Sequence, residues 1–124
     1  MHRVVHFELN VSDPERSQAF FSDVFGWKVS KWEGGPDYWL ATTGAEEDAG
    51  IDGAIMRSRD DAPRTVNTVE VASVDETAAK VTAAGGQVAV PKQVIPGVGW
   101  VAYCTDPSGL IFGIYQADEQ ARAG

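Results

Sequence analysis

Residues 4–13, VVHFELNVSD, and residues 66–75, VNTVEVASVD, each run from alternating apolar and polar side chains into a helix start, and this repeated passage decides the reading of the chain. In the first copy Val5, Phe7, Leu9 and Val11 share one strand face, while Val4, His6, Glu8 and Asn10 share the other. The apolar face is the natural seat of the helix that follows, PERSQAFFSDVFG over 14–26. Ser12-Asp13-Pro14-Glu15 supplies an N-cap, a first-turn proline and an acidic residue near the positive end of the helix dipole, and Gly26 ends the helix. Ala19, Phe20, Val24 and Phe25 recur at helical spacing as its apolar stripe. In the second copy Val69 and Val71 face the helix, and Ser73 or Asp75 starts it. Val74, Ala78, Val81 and Ala84 give the stripe, and Gly85-Gly86 stops it.

Three further strand-like runs follow each helix: WKVSKW, DYWLATT and IDGAIMR in the first half, then QVAVP, GWVAYCT and LIFGIYQ in the second. Each half is therefore β-α-β-β-β. The expected organisation is a first module over 1–57, a linker over 58–64, a second module over 65–116 and a polar, solvated tail over 117–124. At 124 residues with 44% hydrophobic content, the two modules suit one domain with a real core.

Composition excludes several function classes. A formal net charge of −8 argues against nucleic acid, whose phosphates require clustered Lys and Arg. No apolar run approaches the ~20 residues of a membrane span. The chain enters a strand at MHRVVHFEL, which reads as no signal peptide. Cys104 is the single cysteine; it suits a reducing, cytoplasmic setting and reads as a small core residue.

Asp13-Pro14-Glu15-Arg16, Phe20-Phe21, Phe25-Gly26-Trp27 and Asp106-Pro107-Ser108-Gly109, in this order and spacing, resemble the vicinal-oxygen-chelate superfamily. That superfamily includes glyoxalases, extradiol dioxygenases, fosfomycin-modifying enzymes and bleomycin-binding proteins. The resemblance runs from about residue 4 to 116. It implies an α+β fold in which two β-α-β-β-β modules form a partly open eight-stranded mixed sheet around a cleft, in a homodimer. It also implies a metal held by the first and last strands of each module. By position His6 matches the first-strand ligand, whereas its counterpart Val66, and Ala54 and Gly113 at the last-strand positions, offer no donor. His6 is thus the one family-position ligand retained. A divalent metal wants several N or O ligands, so no metal and no other cofactor is expected. A site for Zn, Ni, Fe or Mn, using Glu8, Thr68 or Glu70 beside His6, stays open as the alternative.

His6 and Glu8, two apart on one strand, point the same way. They read either as a catalytic acid/base pair, the carboxylate orienting the imidazole and raising its pKa, or as a polar wall. The chain holds 4 Trp, of which Trp39 and Trp100 occupy equivalent strands together with Tyr38 and Tyr103. Alternation sets Tyr38 and Leu40 against Trp39 and Ala41, and Trp100 and Ala102 against Val101 and Tyr103. Which set faces the cleft is left open. The candidate ligand-binding residues are Trp39, Ala54, Thr68, Glu70, Trp100, Tyr103 and Gly113. The expected ligand is a small aromatic or amphiphilic organic molecule, bound in a pocket widened by the small residues Gly53, Ala54 and Gly113. A metal-dependent lyase, isomerase or dioxygenase is the second reading.

Overall fold

The computed structural model describes residues 1–33 and 37–123; Gly124, the last residue of the expected tail, lies outside them. The chain divides into two compact units. One is Val5–Val66, and the other joins Met1–Val4 to the chain from Asn67 onward. All eight expected strands and both helices are present, an α+β pattern of two β-α-β-β-β modules.

The first unit contains β1 (Val4–Val11), α1 (Pro14–Phe25), β2 (Lys28–Lys31), β3 (Tyr38–Thr42) and β4 (Gly53–Arg57), with strands in the order β2-β3-β4-β1. β1 pairs parallel to β4, and the other pairs are antiparallel. The crossover through α1 permits the parallel pair, which a tight hairpin cannot make. Asp13 caps α1, its carboxylate accepting from Arg16 N at 3.1 Å, and Gly26 closes it with φ +72°, a conformation that suits a residue without Cβ. Phe21 stacks on Trp27, and Phe7 of β1 tilts against the same indole. The helix thus sits over the Phe7 face of β1, as the alternation predicts. Gly53, opposite Phe7, allows this contact. A Cβ there would lie 2.5 Å from the Phe7 carbonyl oxygen and 2.6 Å from its ring.

The stripe predicted for α1 does not pack as expected. Ala19, Phe20, Val24 and Phe25 are all exposed, whereas Ser17, Gln18, Phe21 and Ser22 are half-buried and Pro14 is buried. Two stacked rings, Phe21 and Trp27, fill the space beneath the helix, which turns the other apolar residues away from the sheet.

The second unit holds β5 (Arg64–Glu70) from Asn67 onward, α2 (Val74–Ala83), β6 (Gln87–Ile95), β7 (Gly99–Thr105) and β8 (Ile111–Ala117), in the order β5-β8-β7-β6. Ser73 is the N-cap, accepting from Glu76 N at 3.1 Å. Val71, Val74, Ala102, Cys104 and Ile114 form the core under α2, with Ala78 and Val81 packed on it. Each buried Val or Ile contributes about 1.5–3 kcal/mol. Ala84 lies outside this core, exposed at the helix end. Pro91 sits inside β6, an edge strand of this unit, next to register shifts between Val88 and Gln93; an edge position tolerates its missing N–H.

The tail corrects a further expectation. Asp118 N donates to Val98 O, Gly97 N donates to Ala121 O, and Ala121 is 1% exposed. Trp100 Nε1 also donates to Asp118 at 3.0 Å. The tail is therefore tied onto the β6–β7 turn rather than left in solvent.

Candidate functional site

Register assigns the faces that alternation left undecided. In the first unit Glu8 lies opposite Ala54 and Ala54 opposite Leu40, while Asn10 lies opposite Met56 and Met56 opposite Tyr38. Directly paired residues point the same way. One face therefore carries His6, Glu8, Asn10, Tyr38, Leu40, Ala54 and Met56, away from the Phe7 side where α1 rests. Trp39 pairs with Ile55 and stands on the helix side. In the second unit Thr68, Gly113 and Tyr103 form one row, and Glu70, Tyr115 and Val101 the next, whereas Trp100 packs against the α2 core. In each central strand the tyrosine points away from the helix and the tryptophan toward it. Of the proposed ligand-binding residues, Ala54 shares the His6–Glu8 face; Thr68, Glu70, Tyr103 and Gly113 share a face in the second unit; Trp39 and Trp100 are on helix sides.

A chain of two hydrogen bonds organises the first of these faces. The Tyr38 hydroxyl donates to Glu8 Oε2 at 2.9 Å. Its oxygen meets His6 Nε2, also at 2.9 Å. With the phenolic proton committed to Glu8, Nε2 is the protonated nitrogen, and Nδ1 carries the lone pair of a neutral ring. Glu8 is only 5% exposed, and a buried carboxylate demands such donors. Glu8 and Asp52 pull the His6 pKa upward, but burial outweighs both and holds it below the ordinary imidazole value. This reverses the rise expected from Glu8 alone. The arrangement gives an oriented neutral imidazole, linked through one hydroxyl to a carboxylate that stabilises positive charge on the ring. Such a ring accepts a hydrogen bond, or a proton, at Nδ1. Tyr38 was the residue that sequence reasoning left unassigned, and its only signal was parity with Leu40 rather than Trp39.

Gly53 and Gly113 have close neighbours instead of leaving room. A Cβ on Gly113 would meet Thr68 Oγ1 at 3.0 Å and Tyr103 Cε1 at 3.5 Å, and the space beside Gly53 is taken by Phe7. A concavity of about 340 Å³ lies elsewhere, along the first half of α1, lined by Ser12, Asp13, Arg16, Ser17, Phe20 and Phe21.

Among the described residues of the first unit, the donors on the His6 face are too few to fit a metal by themselves. Among the described residues no three His, Cys, Asp or Glu side chains gather as a metal-binding group. In the first unit His6 and Glu8 are spanned by Tyr38, and Ala54, opposite Glu8, has no donor atom. Two ligands fall short of the four to six that Zn or Mn takes.

A family model described as the Glyoxalase/Bleomycin resistance protein/Dioxygenase superfamily matches residues 3–114. The chain is 31% identical over 120 residues to "Putative glyoxylase CFP32" of Mycobacterium bovis, and equally to that of Mycobacterium tuberculosis. The alignment covers 94% of this chain and 46% of each relative, so the chain spans about half the length of the curated relatives it matches. Among solved structures, a methylmalonyl-CoA epimerase in complex with methylmalonyl-CoA and NH4+ superposes with TM-score 0.71 over 99% of both chains at 14% identity. The Mn(II)-bound glyoxalase of Novosphingobium aromaticivorans superposes with TM-score 0.66 at 26% identity, covering 99% of this chain and 42% of that one. The fold is the one these proteins share.

Proposed function

The chain belongs to the Glyoxalase/Bleomycin resistance protein/Dioxygenase superfamily, and from that premise we propose that it binds a small, amphiphilic or aromatic organic molecule on the His6–Tyr38–Glu8 face, without a resident metal. The observation that carries the reading is the hydrogen-bond chain itself. Burial keeps His6 neutral and the chain leaves Nδ1 as the acceptor, while Leu40 and Met56 on the same face supply apolar contact. A ligand that offers an O–H, N–H or acidic C–H to Nδ1 and an apolar body to Leu40 satisfies both. Where that hydrogen is acidic enough, His6 takes the proton and Glu8 stabilises the imidazolium through Tyr38; in its absence the domain sequesters the ligand. Ala54 in the first unit, and Thr68, Glu70, Tyr103 and Gly113 in the second, are the further ligand-facing candidates. A role for Trp39 or Trp100 would be to support the sheet from behind. The reading takes the modules as 1–57 and 65–116, and the working form as a cytoplasmic homodimer. Among the described residues no helix is long and apolar enough to cross a membrane.

A metal-dependent lyase, isomerase or dioxygenase is the second reading, favoured by the 26% identity to a Mn(II)-bound glyoxalase. Equilibrium dialysis of wild type and His6→Ala against Mn, Zn, Ni and Fe, followed by elemental analysis, separates the two. Stoichiometric metal lost in His6→Ala refutes the metal-free reading. A thermal-shift screen of organic molecules that includes methylmalonyl-CoA then tests binding. Stabilisation of wild type that disappears in His6→Ala is expected, and shifts indifferent to His6 refute the assigned face.

A further inference from the structure

Asn10 shares the β1 face of His6 and Glu8 and lies opposite Met56. Its side-chain nitrogen Nδ2 is shut off from solvent, and among the described residues nothing accepts a hydrogen bond from it. Buried amide donors almost always find an acceptor, and one left alone carries a cost that an apolar side chain of the same shape avoids. Gln18 Oε1 is in the same condition, but it belongs to α1, which rests on the opposite, Phe7 side of the sheet. Around Asn10 the groups that can hold a molecule converge: His6 with Nδ1 as acceptor, Tyr38 and Met56 in the row of Asn10, and Leu40, 39% exposed. We propose that Asn10 Nδ2 is the donor to a carbonyl oxygen of the bound molecule. The ligand of this face is then an uncharged arene with a proton donor for His6 Nδ1 at one end and a carbonyl at the other.

Strand geometry sets the length of this molecule. His6 and Asn10 stand at the two ends of the polar row on β1, about 13 Å apart along the strand. The two contacts therefore belong to opposite ends of one extended ligand and not to a single group. Glu8 lies between them, and Leu40 and Met56 border the path, which suits a flat apolar middle. Charge sets the kind of acceptor. The Glu8 carboxylate is 5% exposed, and Asp52 acts on His6 through space, so a ligand carboxylate is repelled where a ketone or amide carbonyl is not. Lys28 is in register with this face, but on β2 opposite Thr42, away from Asn10. The energetics favour selection. A hydrogen bond normally replaces one made to water and gains little net, but folding has already removed water from Nδ2. An arriving carbonyl gives up only its own hydration, and a molecule without the carbonyl gains nothing there. Half-buried Met56, an unbranched and adaptable thioether, is the neighbour that shifts to admit it.

The inference rests on the reading of the His6–Tyr38–Glu8 face as the ligand site and names that ligand's chemistry. Titrations with trans-4-hydroxycinnamamide, 4-propylphenol and 4-hydroxycinnamate, followed in ¹H–¹⁵N spectra, test it. Wild type is expected to bind the amide roughly tenfold more tightly than either of the others. Asn10→Leu should bind the amide and propylphenol alike, and should melt at or above the wild-type temperature because the unpaired donor is gone. The Asn10 side-chain NH2 signals, identified by their loss in Asn10→Leu, should move when the amide binds and stay in place with propylphenol. Near-UV circular dichroism checks that each variant is folded. Wild type with equal affinity for the amide and propylphenol, both lost in His6→Ala, overturns the role of Asn10 and leaves the His6 face standing. Binding indifferent to His6→Ala overturns the face and this inference together. A cinnamate that binds as tightly as the amide overturns the uncharged carbonyl, and no binding of any of the three overturns the ligand class. An Asn10→Leu that melts well below wild type shows the amide holding the fold and overturns the unpaired donor.

Discussion

Replacing Tyr38 with Phe removes one oxygen atom and both hydrogen bonds of the His6–Tyr38–Glu8 chain. The bond to the Glu8 carboxylate is charge-assisted and worth about 1.5–3 kcal/mol, and the one from His6 about 0.5–1.5 kcal/mol. Water reaching the half-buried edge of the site recovers part of this, while Glu8, at 5% exposure, recovers little. The expected loss is about 2–3 kcal/mol, measured as a shift in the denaturant midpoint at unchanged slope. In a chain of this size that lowers Tm by roughly 6–12 °C. Long-range ¹H–¹⁵N spectra of the ring supply the second measurement. In wild type Nε2 carries the proton; in Tyr38→Phe the preference for that tautomer should relax. Stability within about 0.5 kcal/mol of wild type, together with an unchanged tautomer, would refute the hydroxyl bridge as the element that orders the site.

The remaining predictions concern protonation, packing and the core. Because the folded-state pKa of His6 lies below its unfolded value, the unfolded chain takes up the proton first as pH falls through about 6.5. Stability should therefore decline from pH 7.5 toward pH 5, and His6→Gln should flatten that slope in thermal melts; a slope identical in both proteins contradicts the assignment. Gly53→Ala drives a Cβ into the Phe7 carbonyl and ring, and should cost about 1–3 kcal/mol or more by chemical denaturation. Gly113→Ala, which meets chiefly the movable Thr68 hydroxyl, should cost clearly less, and equal losses would disprove the difference in packing. Ile114→Ala, in the core under α2, should cost about 2–5 kcal/mol, and a loss under 1 kcal/mol would deny that core its place.

What local chemistry controls was legible in the order of residues. Alternation over residues 4–11 put His6 and Glu8 on one face and Phe7 on the other, because successive strand side chains must point oppositely. Asp13 and Gly26 bounded α1 because a helix needs a side-chain acceptor at its start and a left-handed residue at its end. The duplicated module followed from these signals read twice. Tertiary structure alone decided what depends on a second strand or on the next layer. Parity divides Tyr38 from Trp39 but cannot say which of them meets His6; the pairing of Tyr38 with Met56 and Met56 with Asn10 settled that. Helical spacing found the stripe Ala19, Phe20, Val24 and Phe25 but not its direction, because the stacked rings of Phe21 and Trp27 already fill the space beneath the helix. Polar composition made the tail look solvated, whereas the hydrogen-bond partners that hold it belong to residues about twenty positions back in the chain. Periodicity tells which residues travel together, and only contacts made by residues distant in sequence tell where they arrive.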